Sequence, residues 1–215
     1  DLTRYRKTLT DERVREVNRL QKFLEAANIK LSSVATDVMG ASGRAMLEAL
    51  VSGSTDPQVL SELAKGRLRK KLPELKKALE GRFRPHHRFM VAEILTHLDF
   101  LDEAIERVSQ EVSSRIVPFS EKVQRLDLIP GIDQRVTEGI LSEIGVDMSC
   151  FPTDGHAASW AGLCPGNNES AGKRKSGKTR KGDRWLRRYL IEAAWAATRK
   201  KGSYLSALYH RLVVR

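Results

Sequence analysis

The most regular hydrophobic pattern in the chain runs from His86 to Ile116, where Val91, Ile94, Leu98, Leu101, Ile105, Val108 and Val112 follow in alternating steps of three and four residues. Such spacing keeps apolar side chains on one stripe of a helix and forms the a/d seam of a coiled coil. Glu93, Asp102, Glu103, Glu106, Arg107 and Glu111 hold the other faces in water. A second amphipathic stretch, Leu9 to Ala27, carries Val17, Leu20, Leu24 and Ala27. The seam can close on this helix of the same chain or on a second copy. A homodimer through residues 91–112 is therefore expected, with pairing of dimers into tetramers left open.

The other segments also read as helices. Leu31–Met39 and Arg44–Val51 are short, and Gly40-Ala41-Ser42-Gly43 between them looks like a hinge. Pro57 and Pro73 each fit the first position of a helix, where the missing N–H costs nothing. Near the end, Trp185–Lys200 places Leu186, Leu190, Ala193, Ala194 and Ala197 on one stripe, and Tyr204, Leu208 and Leu212 continue a terminal helix. No segment alternates with period two over β-branched residues, so the pattern predicts an all-α fold. Pro118 ends the long seam helix and divides the chain into a helical linker and coiled coil, 1–118, and a C-terminal domain, 119–215.

Within that second part, residues 126–145 predict a short helix, a tight turn at Pro130, Gly131 and Ile132, and another amphipathic helix. This is a candidate helix–hairpin–helix, whose turn amides and following helix N-terminus face a phosphate. Asp133 stands where such a hairpin usually has glycine, and a carboxylate there disfavours a phosphate; the motif reads equally well as structural.

Charge changes the picture most sharply between residues 173 and 188. Lys173, Arg174, Lys175, Lys178, Arg180, Lys181, Arg184, Arg187 and Arg188 face a single acid, Asp183, which gives this run +8 of the chain's net +11. Clustered cations on a protein of pI 9.9 point to a polyanion. Cys150 and Cys164 are too few for a disulfide framework and lack metal-ligand spacing with His. His86-His87 flank the seam helix without a ligand pattern, and no metal site is expected in this chain. Trp160, Trp185 and Trp195 read as core or interface anchors, with Trp185, among arginines, the one placed to stack on a base. No apolar run is long enough for a membrane span. The chain opens at Asp1, with Leu2–Arg6 already helical in pattern, which predicts that it starts inside a longer protein.

Ile129-Pro130-Gly131-Ile132, Glu143-Ile144-Gly145, Phe151-Pro152, Gly162-Leu163-Cys164-Pro165, Ser170-Ala171-Gly172-Lys173 and Lys181-Gly182-Asp183-Arg184-Trp185-Leu186-Arg187 occur in that order. The series, with the Ala-rich helix after it, resembles the C-terminal domain of the insertion-sequence 110/116/902 family of transposases, the bridge-RNA-guided serine recombinases. The region before it looks like that family's linker and coiled coil. The resemblance implies DNA and a guide RNA as partners, and a cytoplasmic, nucleoid-associated bacterial protein. It also implies an RNase-H-like domain, absent from this sequence, whose four carboxylates hold Mg²⁺. The nucleophilic serine of the family's Ser-Gly-Gly-Lys signature falls on Ser170, which would attack a DNA phosphodiester and form a phosphoserine. Ala171 departs from the signature, where the family has glycine, and Asp133 departs from the hairpin.

The residues alone leave alternatives open. A serine hydroxyl needs an activating base or metal, and cations to stabilise the phosphoryl transition state. Lys173, Arg174 and Lys178 supply the cations, but Glu169 is adjacent on an extended segment and His156 lies 14 residues upstream. Ser176, in a similar Ser-Gly-Lys setting, is an internal rival. The alternative from another class is a non-catalytic helix–hairpin–helix nucleic-acid-binding module in which Ser170 only donates a hydrogen bond. A third is a coiled-coil scaffold with a merely solvated basic surface.

Overall fold

Two features of the sequence govern the architecture: helical apolar stripes almost everywhere, and one glycine-punctuated basic stretch that is not helical. The structure, a computed structural model, describes residues 1–166 and 168–214; the side chain of Arg174 lies outside the described residues. In chain order the helices are α1 (Leu2–Ala26), α2 (Leu31–Val34), α3 (Ala41–Ser52), α4 (Pro57–Glu62), α5 (Leu72–Ala78), α6 (Pro85–Ile116), α7 (Ser120–Asp127), α8 (Gln134–Ile144) and α9 (Asp154–Trp160). Strands β1 (Asn168–Ser170) and β2 (Lys173–Ser176) follow, then α10 (Arg184–Arg199) and α11 (Tyr204–Val213). The helical expectation holds except for this antiparallel hairpin. Its arms are too short and too polar to show a period-two hydrophobic signal. None of the described helices is long and apolar enough to cross a membrane.

The chain divides into two compact units, Arg6–Arg107 and Asp1–Tyr5 with Val108–Arg215. In the first unit, Leu20 and Leu24 of α1 share a core with Met46, Leu47 and Leu50 of α3, Leu60, Leu75 and Leu79. Val91, Ile94 and Leu98 of α6 lie in that same core. Over these positions the seam expected to join two copies is filled by the chain's own helices. Gly40 to Gly43 is not a hinge: Gly40 is the N-cap of α3, and a Cβ on Gly43 would sit 2.1 Å from the Val38 carbonyl oxygen. Pro57 opens α4, with Asp56 accepting the Gln58 N–H at 2.8 Å, while Pro73 is the second residue of α5, after Leu72. His87 caps its helix as the flanking position suggests, its Nδ1 accepting the Arg84 N–H at 3.2 Å. Asp99 is held bidentately by Arg44, both contacts at 2.7 Å, and Asp102 pairs with Arg13.

The second unit is built on α8 and α10. Ile140, Ala161, Leu186 and Tyr189 form its buried centre, with Leu126, Ile132, Val136, Ile144, Leu163 and Leu190 packed around them. The two helices approach closely because small residues meet. A Cβ on Gly139 would lie 2.3 Å from the Tyr189 ring, and one on Gly131 would lie 2.2 Å from the Ala193 carbonyl oxygen. Ala193 and Ala197 are buried on this stripe, whereas Ala194, expected with them, is exposed. Trp160 and Trp195 are likewise not core anchors; each is 54% exposed.

The first turn of α1 completes this unit. Arg4 donates to Glu143 through Nε at 2.9 Å and Nη2 at 2.5 Å, while Thr3 and Ser142 share a hydrogen bond of 2.8 Å. The Glu143 carboxylate, almost fully buried, gives the Arg4 guanidinium a pKa above its ordinary value, chiefly through that hydrogen bond.

Candidate nucleic-acid interface

Between α9 and α10 the backbone runs out and back as a narrow ribbon. Gly162 and Gly182 cross at its base so tightly that a Cβ on Gly182 would lie 2.3 Å from the Gly162 amide nitrogen. The Asp183 N–H donates to the Trp160 carbonyl at 2.8 Å and closes the ring. Further out, the Gly166 N–H donates to the Lys178 carbonyl at 2.8 Å, Pro165 pairs with Thr179, and β1 pairs with β2. Asn168 faces Ser176 and Glu169 faces Arg174, which leaves Lys175 as the extra residue of a β-bulge.

Ser170 and Lys173 are the last pair, joined by Ala171 and Gly172. Their φ angles of 52° and 71° are both left-handed, the geometry of a two-residue type I′ hairpin. This gives a physical reason for the glycine that the signature has at 171, and makes Ala171 a strained substitute. Glycine takes such a φ without strain, whereas alanine there costs about 1–2 kcal/mol from its Cβ against the following carbonyl. Ala171→Gly is therefore expected to stabilise the hairpin by about 1 kcal/mol, seen as slower amide exchange at Ser170 and Lys173 with no change elsewhere in the unit.

Ser170 is exposed at this tip, and among the described residues its hydroxyl has no hydrogen-bond partner. Ser176 differs: its oxygen accepts the Lys178 N–H at 3.2 Å. Strand alternation turns Glu169 to the face opposite Ser170. His156 shares a 2.9 Å hydrogen bond with Thr153 and lines a cleft with Lys181 and Gly182 at the ribbon's base, away from the tip. Among the described residues, then, neither sequence candidate for a base is placed beside the hydroxyl. No group of three or more His, Cys, Asp or Glu among them is arranged to hold a metal ion.

The cations are distributed as a track. Lys173, Lys175, Lys178, Arg180, Lys181 and Arg184 are exposed, along the returning arm and into α10. Arg187 and Arg188 are half-buried, Arg188 donating to Glu192 at 3.2 Å, and the Arg174 side chain is outside the described residues. Asp183, the one acid in the run, is the N-cap of α10, accepting the Trp185 and Leu186 N–H groups at 2.9 and 2.7 Å. Arg184 lies over the Trp185 ring at 5.0 Å, which occupies one face of the indole expected to meet a base.

The turn at Pro130, Gly131 and Ile132 faces inward. Gly131 packs on Ala193 and Ala197, and Ile132 packs on the core. Asp133 caps α8, accepting the Val136 N–H at 2.9 Å, and this accounts for a carboxylate in place of the hairpin glycine.

Two features had no sequence signal. The Arg4–Glu143 pair joins residues far apart in the chain, and Trp160 is exposed although Ala161 beside it is fully buried. No curated protein and no solved structure matches the chain. Residues 123–210 match the model of the family described as Transposase IS116/IS110/IS902 family, the same family that the motifs of this region resemble.

Proposed function

We propose that this chain is the C-terminal part of a DNA recombinase, in which the basic ribbon holds the phosphate backbone and Ser170 is the nucleophile that accepts the cut strand. The observation that supports it most is the placement of Ser170: a hydroxyl without a partner among the described residues, at the tip of an exposed cationic ribbon, on the last pair before the turn. Lys173 stands opposite, and Lys175 and Lys178 follow on the same arm, where their charges offset those on a phosphoryl group. The Ser170 oxygen attacks the phosphorus of a DNA phosphodiester. The serine–phosphorus bond forms as the bond to the departing deoxyribose oxygen breaks, and the serine proton leaves to a base. Neither Glu169 nor His156 is placed to take that proton, and the resemblance assigns activation to the Mg²⁺-holding carboxylate domain that it implies. A guide RNA would choose the DNA, again by resemblance.

The rival is a binding module in which Ser170 only donates to a phosphate. Binding separates the two. A lost hydrogen bond to a charged oxygen costs about 1.5–3 kcal/mol, or about ten-fold or more in affinity. In the proposed role the Ser170→Ala chain binds duplex DNA as tightly as the unsubstituted chain at equal salt. A ten-fold weakening by titration would favour the binding module.

A further inference from the structure

Beside the ribbon's base lies an open cleft of about 550 Å³ whose lining includes Phe151, His156, Ser159, Trp160, Lys181 and Asp183. Trp160 is its most conspicuous member. Trp160 is 54% exposed although its backbone carbonyl is fixed by the Asp183 N–H at 2.8 Å and the next residue, Ala161, is fully buried. A large aromatic held rigidly at its backbone yet turned to solvent in a concave, partly cationic site is the composition of a stacking platform. His156 adds polar capacity, since Thr153 engages Nδ1 at 2.9 Å and leaves Nε2 for a base edge. The charge of Asp183 is largely matched by the two N–H groups of α10 and by Arg4 at 3.6 Å.

Resting on the DNA-binding role proposed above, we infer that this cleft receives one unpaired DNA base, stacked on Trp160, while Lys181 holds the adjoining phosphate. The track of exposed cations supports the direction: Lys173, Lys175, Lys178, Arg180 and Lys181 lead along the returning arm to the mouth of the cleft. A strand whose phosphates follow that arm arrives at Trp160. Duplex DNA keeps its bases stacked and cannot use the ring, so the cleft distinguishes an unpaired nucleotide from a paired one.

The test uses the full 215-residue chain and two DNA duplexes, one with a single unpaired 2-aminopurine and one with the same base paired, together with an RNA oligomer carrying the unpaired base. Binding is expected to quench the unpaired 2-aminopurine. Trp160→Leu is expected to remove the quench and weaken binding of that duplex roughly ten-fold, the scale of one base–aromatic stack, while leaving the fully paired duplex unaffected. Trp160→Phe restores both, and Lys181→Gln weakens the unpaired duplex without removing the quench. Unchanged quenching in Trp160→Leu, or an equal loss on the paired duplex, overturns the assignment. So does quenching confined to the RNA, which would give the cleft to RNA. If the unsubstituted chain binds the paired duplex but never prefers the unpaired one, this cleft assignment fails while the DNA-binding role stands. If it binds neither, both fail.

Discussion

Replacing Lys173, Lys175, Lys178 and Arg180 together by glutamine is expected to lower affinity for duplex DNA by about three orders of magnitude at 0.1 M salt. Each cation that neutralises a phosphate releases condensed counterion, and the logarithm of affinity falls with the logarithm of salt at about 0.9 per contact. Four lost contacts should flatten that dependence by about 3 to 4. All four side chains are exposed on the ribbon, so the substitutions leave the core untouched and the far-ultraviolet circular dichroism unchanged. A merely solvated basic face gives another result: weak binding to begin with, and a salt dependence that barely moves. The measurement is a titration of labelled duplex at four or five salt concentrations.

The second large effect concerns Gly131. Its φ is 90°, and a Cβ there would lie 2.2 Å from the Ala193 carbonyl oxygen and 2.6 Å from the Ala197 amide nitrogen. Both neighbours are backbone of α10 and cannot rotate away. Gly131→Ala thus combines a left-handed φ with overpacking, and should destabilise the C-terminal unit by about 3 kcal/mol. Urea unfolding of the unit would show it, with a lower midpoint. If the turn amides instead held a phosphate, the variant would keep its stability and lose DNA affinity alone.

Much of this architecture was legible in the sequence because it depends on local rules. The seam of α6, the proline-opened helices and the alanine stripe of α10 follow from spacing and from the φ that proline imposes. The hairpin did not show, because its pairing rests on glycines rather than on an apolar alternation. Gly162, Gly166 and Gly182 let two backbones pass where a Cβ would collide, and a sequence shows those glycines without showing which strand they meet. Ala171 looked like a defect of the signature, yet the turn accommodates it in the left-handed region. Asp133 looked out of place at a phosphate-binding turn and proves, like Asp183, to be a helix cap.

Other features were hidden for a different reason: they depend on long-range contact. Nothing near Glu143 says that Arg4 will neutralise it, and the heptad seam alone does not choose between a partner copy and Leu20 and Leu24 of the same chain. For the nucleophile, spacing offered Ser170 and Ser176 almost equally. In the structure Ser176 accepts from Lys178, while the Ser170 hydroxyl has no partner among the described residues, which is the difference the proposal uses.

The role of Ser170 is tested most directly by trapping the strand on the protein. The chain is joined to the carboxylate domain that the resemblance implies and mixed with Mg²⁺, guide RNA and end-labelled donor DNA, then resolved on a denaturing gel. A protein–DNA adduct is expected with the unsubstituted protein and with Ser176→Ala, and none with Ser170→Ala. An adduct that persists in Ser170→Ala would contradict the assignment and move the nucleophile elsewhere.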